Sequence, residues 1–388
     1  MGSMYSKPLE NNKPTPSNTI KEKWVYILRN GPSEDAVSFT VDPLENGLPH
    51  WFDREKLQEC HQVVREFRPY LRACPTIGIM MLLLQPVIMI PLLHSKKHEC
   101  LSAMFSRYLD TAVTGVDWIS TDLIDKESKP SKSIMKVNQK HKMITKMMRG
   151  IPLPEEVLKS RPGLKTVWIS QYTMTITQFA FIGLFFLFPD KCGCHFSCQK
   201  ERDKVFYSLN YLWRTIGFLL GMKDEYNLCQ ENIEETIELC DIVLNQVFLP
   251  AIKNQGNSIE NNPGFSISCD IITVMKSFLP MPVSGHIIFN YWFKVFGLQE
   301  LMLEMSLMDQ IKLSLIEFSM KYISRIRKLM SISDNKMVKE MIRLDSNRGP
   351  TLKEWNKKCP EIKYSLEKYM KDCPEYTLNH FFPVNKES

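Results

Sequence analysis

PTIGIMMLLLQPVIMIPLL, residues 75–93, runs for nineteen residues without a charged side chain. Its reading decides whether the chain crosses a membrane or folds as an all-α globule. About twenty apolar residues in a helix are enough to span the hydrocarbon of a bilayer. Gln85-Pro86 and Pro91 interrupt the run, and proline both removes a backbone donor and drives the residue before it out of helical geometry. Core helices of large helical proteins are apolar all round in the same way. The expectation is therefore a buried helix, or one embedded near a membrane surface, in preference to a true span.

Outward from this segment the periodicity is helical in both directions. Asp53 caps a stretch over 54–71 in which Leu57, His61, Val64 and Phe67 recur at three- and four-residue spacing. Amphipathic helices are expected over 96–121 and about 133–150, the second ended by Pro152 and Pro154. A second apolar helix over 171–188 stops at Pro189, and the pattern stays helical over 203–222, 231–250, about 266–282, 285–307 and 309–331. No internal repeat and no Pro/Ser-rich linker divides residues 50–340, so one large helical domain over 50–344 is the simplest account. Ahead of it, residues 1–23 are polar and read as a disordered leader. Residues 24–49 form an N-terminal arm, in which Trp24 to Val41, around Asn30-Gly31-Pro32, suits a small hairpin or a surface strap. Residues 345–388 read as a polar tail.

Composition narrows the classes. Of 388 residues, 44% are hydrophobic and 24% charged, an ordinary globular balance. The 21 Phe, 22 Met and 7 Trp make a bulky, soft interior of the kind that encloses a large apolar ligand. A net charge of +6 falls short of a dedicated nucleic-acid binder, and the basic run over 126–149 lacks the interleaved aromatics on which bases stack. No nucleic-acid partner is expected, and that run suits a solvated or lipid-facing surface. Eleven cysteines, an odd number, point to a reducing intracellular compartment, and the first 24 residues carry no apolar signal core. There is no phosphate loop, dinucleotide fingerprint or nucleophile elbow.

Two helices carry the chemistry. On the basic helix, Ile134, Val137, Ile144 and Met148 lie at i−7, i−4, i+3 and i+7 from His141, which puts the imidazole in the middle of an apolar stripe. Such a ring must find partners for its nitrogens, either as a hydrogen-bonded core histidine or as a metal ligand. On the preceding helix, Arg107 and Thr111 are one turn apart, with Trp118 two turns further along the same face. An arginine on a largely apolar face needs an anion, supplied by the chain's own carboxylates or by a ligand. A third cluster, Cys192-Gly193-Cys194-His195-Phe196-Ser197-Cys198, packs four potential ligands into seven residues. That spacing strains tetrahedral zinc and equally suits a redox-sensitive or palmitoylated loop.

The order Arg107, Thr111, His141 resembles the latex-clearing protein family, which includes bacterial rubber oxygenases and fungal and insect members. Thr177-Gln178-Phe179-Ala180-Phe181-Ile182-Gly183 and Trp213-Arg214-Thr215-Ile216-Gly217-Phe218-Leu219-Leu220-Gly221, followed by Asp224 and Asn227, are similar to the fungal and insect members. The likeness covers about residues 50–330. It implies a globin-like helical core holding b-type haem, with His141 on the iron and with Arg107 and Thr111 retaining the haem and supporting catalysis. Arg214 offers a second cation for the haem propionates, or an ordinary ion pair. The implied activity uses dioxygen to cleave carbon–carbon double bonds of an isoprenoid or another unsaturated hydrophobic substrate, at an intracellular membrane such as the endoplasmic reticulum. A haem or hydrophobic-ligand binding protein without catalysis is the alternative. Asp110 stands where the bacterial members have a lysine that can cap the iron, so their polymer substrate does not carry over.

Overall fold

The nineteen-residue apolar run folds as two helices rather than one. The computed structural model describes residues 19–39, 47–120, 122–151, 167–279, 283–358 and 362–372. Within it, α3 (Ala73–Leu82) and α4 (Pro86–His94) meet at 88°. Gln85 is extended (φ −97°, ψ 116°) ahead of Pro86, the conformation that a following proline imposes, and Pro86 then opens α4, where its missing N–H costs nothing. Both halves are largely buried. Among the described residues no single helix is long and apolar enough to cross a membrane; the bent pair reaches that length and composition only when its two halves are taken together.

The remaining elements are α1 (Ile20–Asn30), α2 (Arg54–Leu71), α5 (Leu101–Ser120), α6 (Lys129–Met147), α7 (Gln171–Leu187) and α8 (Gln199–Leu219). They continue as α9 (Ile233–Val243), α10 (Leu249–Lys253), α11 (Pro263–Met275), α12 (Gly285–Val295), α13 (Leu307–Lys321), α14 (Arg327–Ser346), α15 (Arg348–Lys358) and α16 (Leu366–Asp372). The described residues contain helices and turns and no strand, so the class is all-α. One hydrophobic core joins Ile20 to Tyr369. In it α3 lies along α7, α2 along α8, and α5 against α6, α11, α14 and α15.

Local chemistry sets the helix starts. The Asp53 carboxylate accepts from the Lys56 N–H at 3.1 Å, and the Ser128 hydroxyl accepts from the Ser131 N–H at 3.1 Å. Ser170 and Thr173 cap α7 reciprocally. The tightest seam is α3 on α7: a Cβ at Gly78 would stand 1.9 Å from the Ala180 carbonyl oxygen, so only glycine lets the two backbones touch.

Several boundaries differ from the sequence expectation. The segment expected as hairpin or strap is α1, capped by Thr19 and Glu22 and burying Trp24, Ile27 and Leu28. The 23/24 division therefore falls inside a helix; residues 1–18 of the leader lie outside the described residues. The 344/345 division falls inside α14, and the supposed tail contributes α15 and α16. Trp355 packs on Phe105 with ring centroids 6.2 Å apart, and Tyr369 is buried against α4. The stretch over 309–331 breaks between Lys321 and Arg327, and Pro152 and Pro154 lie outside the described residues.

Candidate functional site

A cavity of about 300 Å³ lies between α5, α6, α7, α8 and the α3–α4 bend. The bend supplies an apolar side with Leu82, Leu83, Val87 and Ile88; α7 and α8 close it with Phe181, Trp213 and Ile216. Polar atoms enter mainly from α5 and α6, which carry Arg107, Tyr108, Asp110, Thr111 and His141. The spacing logic for α6 holds in space: Val137, His141 and Ile144 face the cavity together, while Ile134 and Met148 are buried on the same stripe.

His141 is half-buried as part of the cavity wall, and neither ring nitrogen has a hydrogen-bond partner among the described residues. Burial first, then the positive charges of Arg107 and Lys140, push its pKa down from 6.5 to about 4. The ring is therefore neutral at physiological pH, with its lone pair free. Arg107 has no carboxylate partner among the described residues, and its positive charge lies close enough to the Tyr108 hydroxyl to oppose the effect of burial there. Thr111 lines the cavity with its hydroxyl donating to the Arg107 carbonyl at 3.1 Å.

Sequence reasoning missed two features. Tyr108 points its hydroxyl to Nε2 of the fully buried His98 at 3.0 Å. Burial pushes Tyr108 up to about 12, with Arg107 opposing, and burial together with Arg107 holds His98 well below the usual histidine range. His98 sits in the charged turn Ser95-Lys96-Lys97-His98-Glu99, where nothing in the sequence marks it as a core residue. The other is Lys140, which turns to the cavity rim and reaches Asp110 at 3.3 Å. Asp110 is also held by Arg348 at 2.7 Å. Burial alone would raise the Asp110 carboxyl; these two cations override it and hold it below the ordinary carboxylate range. Asp110 is thus a tied anion at the rim.

Arg214 is not brought to this site. Its guanidinium stacks on Trp51 at 4.2 Å and reaches Asp224 at 3.3 Å, while its neighbour Trp213 takes the cavity-lining place. The cysteine cluster also separates in space. Cys192 and Cys194 are buried, Cys198 is exposed, and His195 bonds the Met320 carbonyl at 2.9 Å through Nε2. Gly193, at φ 81°, makes the turn against Ser324. Among the described residues no three His, Cys, Asp or Glu side chains converge as a metal site.

Two smaller cavities continue from the first. One of about 120 Å³ shares Ile79, Thr111, Gly115 and Phe181 with it, and a third of about 190 Å³ shares Arg72, Thr76, Met275 and Leu279 with the second. The third is walled by α13 and α14 through Ile316, Met320, Met330 and Met337. Between the second and third stands a buried ionic group in which Asp334, 3% exposed, bridges Arg68 at 2.5 Å and Arg72. No family model, no curated protein and no solved structure matches the chain.

Proposed function

We propose that the chain is a b-type haem-dependent oxygenase acting with dioxygen on an unsaturated hydrophobic substrate such as an isoprenoid. The observation that carries this reading is His141: a neutral imidazole, without a partner for either nitrogen among the described residues, on the wall of a large apolar cavity. A core histidine kept for stability would be hydrogen-bonded, as His61 is to the Ile119 carbonyl at 3.0 Å. The donor set fits a haem: one imidazole for the iron, and in Arg107 a guanidinium that has no carboxylate among the described residues and is available for a propionate. Bound haem iron would supply the redox chemistry that delivers both atoms of dioxygen to the two carbons of a double bond, giving two carbonyl products.

The chain's own residues do the rest. His141 holds the ligand through a nitrogen that needs no deprotonation at neutral pH. Arg107 fixes the edge of the group and keeps protons off His141 by its charge. Thr111, its proton committed to the Arg107 carbonyl, presents an acceptor oxygen and a methyl group to the cavity. Leu82, Val87 and Phe181 exclude water and offer an apolar bed for the substrate. An isoprenoid dissolves in bilayers, so the reading includes attachment to an intracellular membrane such as the endoplasmic reticulum. The apolar continuation of the cavity also suits a hydrophobic-ligand carrier without catalysis.

The test is an absorption spectrum of the purified protein. A Soret band is expected, lost in His141→Ala and weakened in Arg107→Ala and Thr111→Ala at unchanged far-UV circular dichroism. An identical spectrum in His141→Ala would remove the assignment. Oxygen uptake with candidate isoprenoids then separates oxygenase from carrier.

A further inference from the structure

The outer face of α13 is apolar where a solvated helix should be polar. Leu307, Ile311, Leu315, Phe318 and Tyr322 follow one another at four, four, three and four residues, so they form a single stripe, and all five are exposed, Leu315 by 61% and Phe318 by 53%. The opposite face does the packing: Leu313 is buried, and Ile316 and Met320 wall the third cavity. Ile326, Leu329 and Ile332, at the start of α14, are exposed as well. Single exposed apolar side chains are ordinary, but eight within twenty-six residues, five of them on one helix face, mark an interaction surface.

Charge identifies what covers it. Lys321, Arg325 and Lys328 are exposed among these side chains, and none has a carboxylate partner among the described residues. The two acids of α13 itself are already matched: Asp309 with Lys312 at 3.3 Å and Glu317 with Lys294 at 2.7 Å. Lys321 lies over the Tyr322 ring at 5.2 Å, so a cation and an aromatic share one position at the rim. A second copy would carry the same unmatched cations and supply no excess of negative charge to neutralise them. A surface of negative headgroups over hydrocarbon satisfies both the stripe and its rim.

We propose that α13 and the first turns of α14 are the protein's membrane-contacting face, lying in the headgroup region of an anionic bilayer. This face is on the far side of the third cavity's wall, and the shared linings lead from there through Arg72 and Gly115 to His141. The face thus lies directly behind the third cavity, with the Asp334 ion group standing between that cavity and the next. The contact does not depend on haem, and it differs from the one expected at 75–93, which is buried.

Flotation with vesicles of two parts phosphatidylcholine to one part phosphatidylserine tests it on the full chain. Wild type and His141→Ala should bind equally. Replacing Lys321, Arg325 and Lys328 together by Gln should weaken binding about a hundredfold, at roughly fivefold for each basic residue. Leu315→Ser with Phe318→Ser should weaken it about tenfold or more, at unchanged circular dichroism, since both side chains are exposed. Failure of the folded wild type to bind, or binding undiminished in both variants, would overturn the proposal. So would a wild-type dimer, seen by light scattering, that the Ser variants turn into monomer. Loss of the Soret band with vesicle binding intact would instead count against the haem reading alone.

Discussion

Replacement of His141 by Leu should flatten the dependence of stability on pH. The folded chain holds this imidazole at about 4, against 6.5 for an ordinary histidine. Between those values the unfolded chain carries a proton that the folded chain does not, so unfolding is favoured as pH falls. The stability is fully present above pH 6.5 and is lost progressively towards pH 4. From neutral pH down to about pH 5 the loss covers roughly one and a half units at about 1.4 kcal/mol per unit, or about 2 kcal/mol. Water entering the open cavity solvates the charged ring and makes this an upper figure. Urea unfolding at about pH 7.5 and about pH 5, followed by circular dichroism, measures the loss in wild type and in His141→Leu. His61 and His98 are also depressed by burial, but both proteins keep them and their share cancels. The wild type should lose about 2 kcal/mol more than the variant. Equal losses would mean that His141 is solvated, and the picture of a dry imidazole with a free lone pair would be wrong.

Gly78→Ala should cost several kcal/mol, because its methyl would stand 1.9 Å from the Ala180 carbonyl oxygen and must push α3 off α7; a thermal midpoint within about 2 °C of wild type would refute the backbone contact. Asp334→Ala should destabilise by at most about 3–5 kcal/mol by leaving the half-buried Arg68 and Arg72 without their anion, whereas a near-neutral result would show water solvating both. At Gly115, mid-helix in α5, an added Cβ meets nothing within 4 Å. Gly115→Ala should therefore gain up to about 1 kcal/mol from helix propensity, read from denaturant midpoints. Gly115→Leu should block the passage between the first two cavities and lower uptake of an apolar fluorescent probe; unchanged uptake would place the passage elsewhere.

The site was legible where it depends on one helix and illegible where it depends on two. The stripe through Val137, His141 and Ile144 follows from helical spacing, and the cavity uses it as read. Arg214 looked equally apt, but its partners Trp51 and Asp224 are a fact of tertiary structure that spacing does not contain. Periodicity also shows that a face exists without showing where it points: Leu315, Phe318 and Ile326 have core spacing and lie outside. Trp355 and Tyr369 are lone anchors, and one anchor makes no period. In α1, the turn signal of Asn30-Gly31-Pro32 concealed the helical spacing of Trp24, Ile27 and Leu28 just before it.

The seam of α3 on α7 has a consequence for synthesis. The helix that covers residues 73–82 begins at residue 171, so roughly a hundred residues must be made after α3 before its cover exists. At about 5–20 residues per second that interval lasts on the order of 5–20 s. Throughout it, an uncharged run long enough to attract membrane-insertion machinery stands uncovered at the ribosome. Translation speed, rather than the rate of helix docking, sets how long the nascent chain is open to chaperone capture or mistaken insertion. Stalled chains ending near residue 150 should crosslink to such factors through residues 75–93, and chains ending near residue 260 should not.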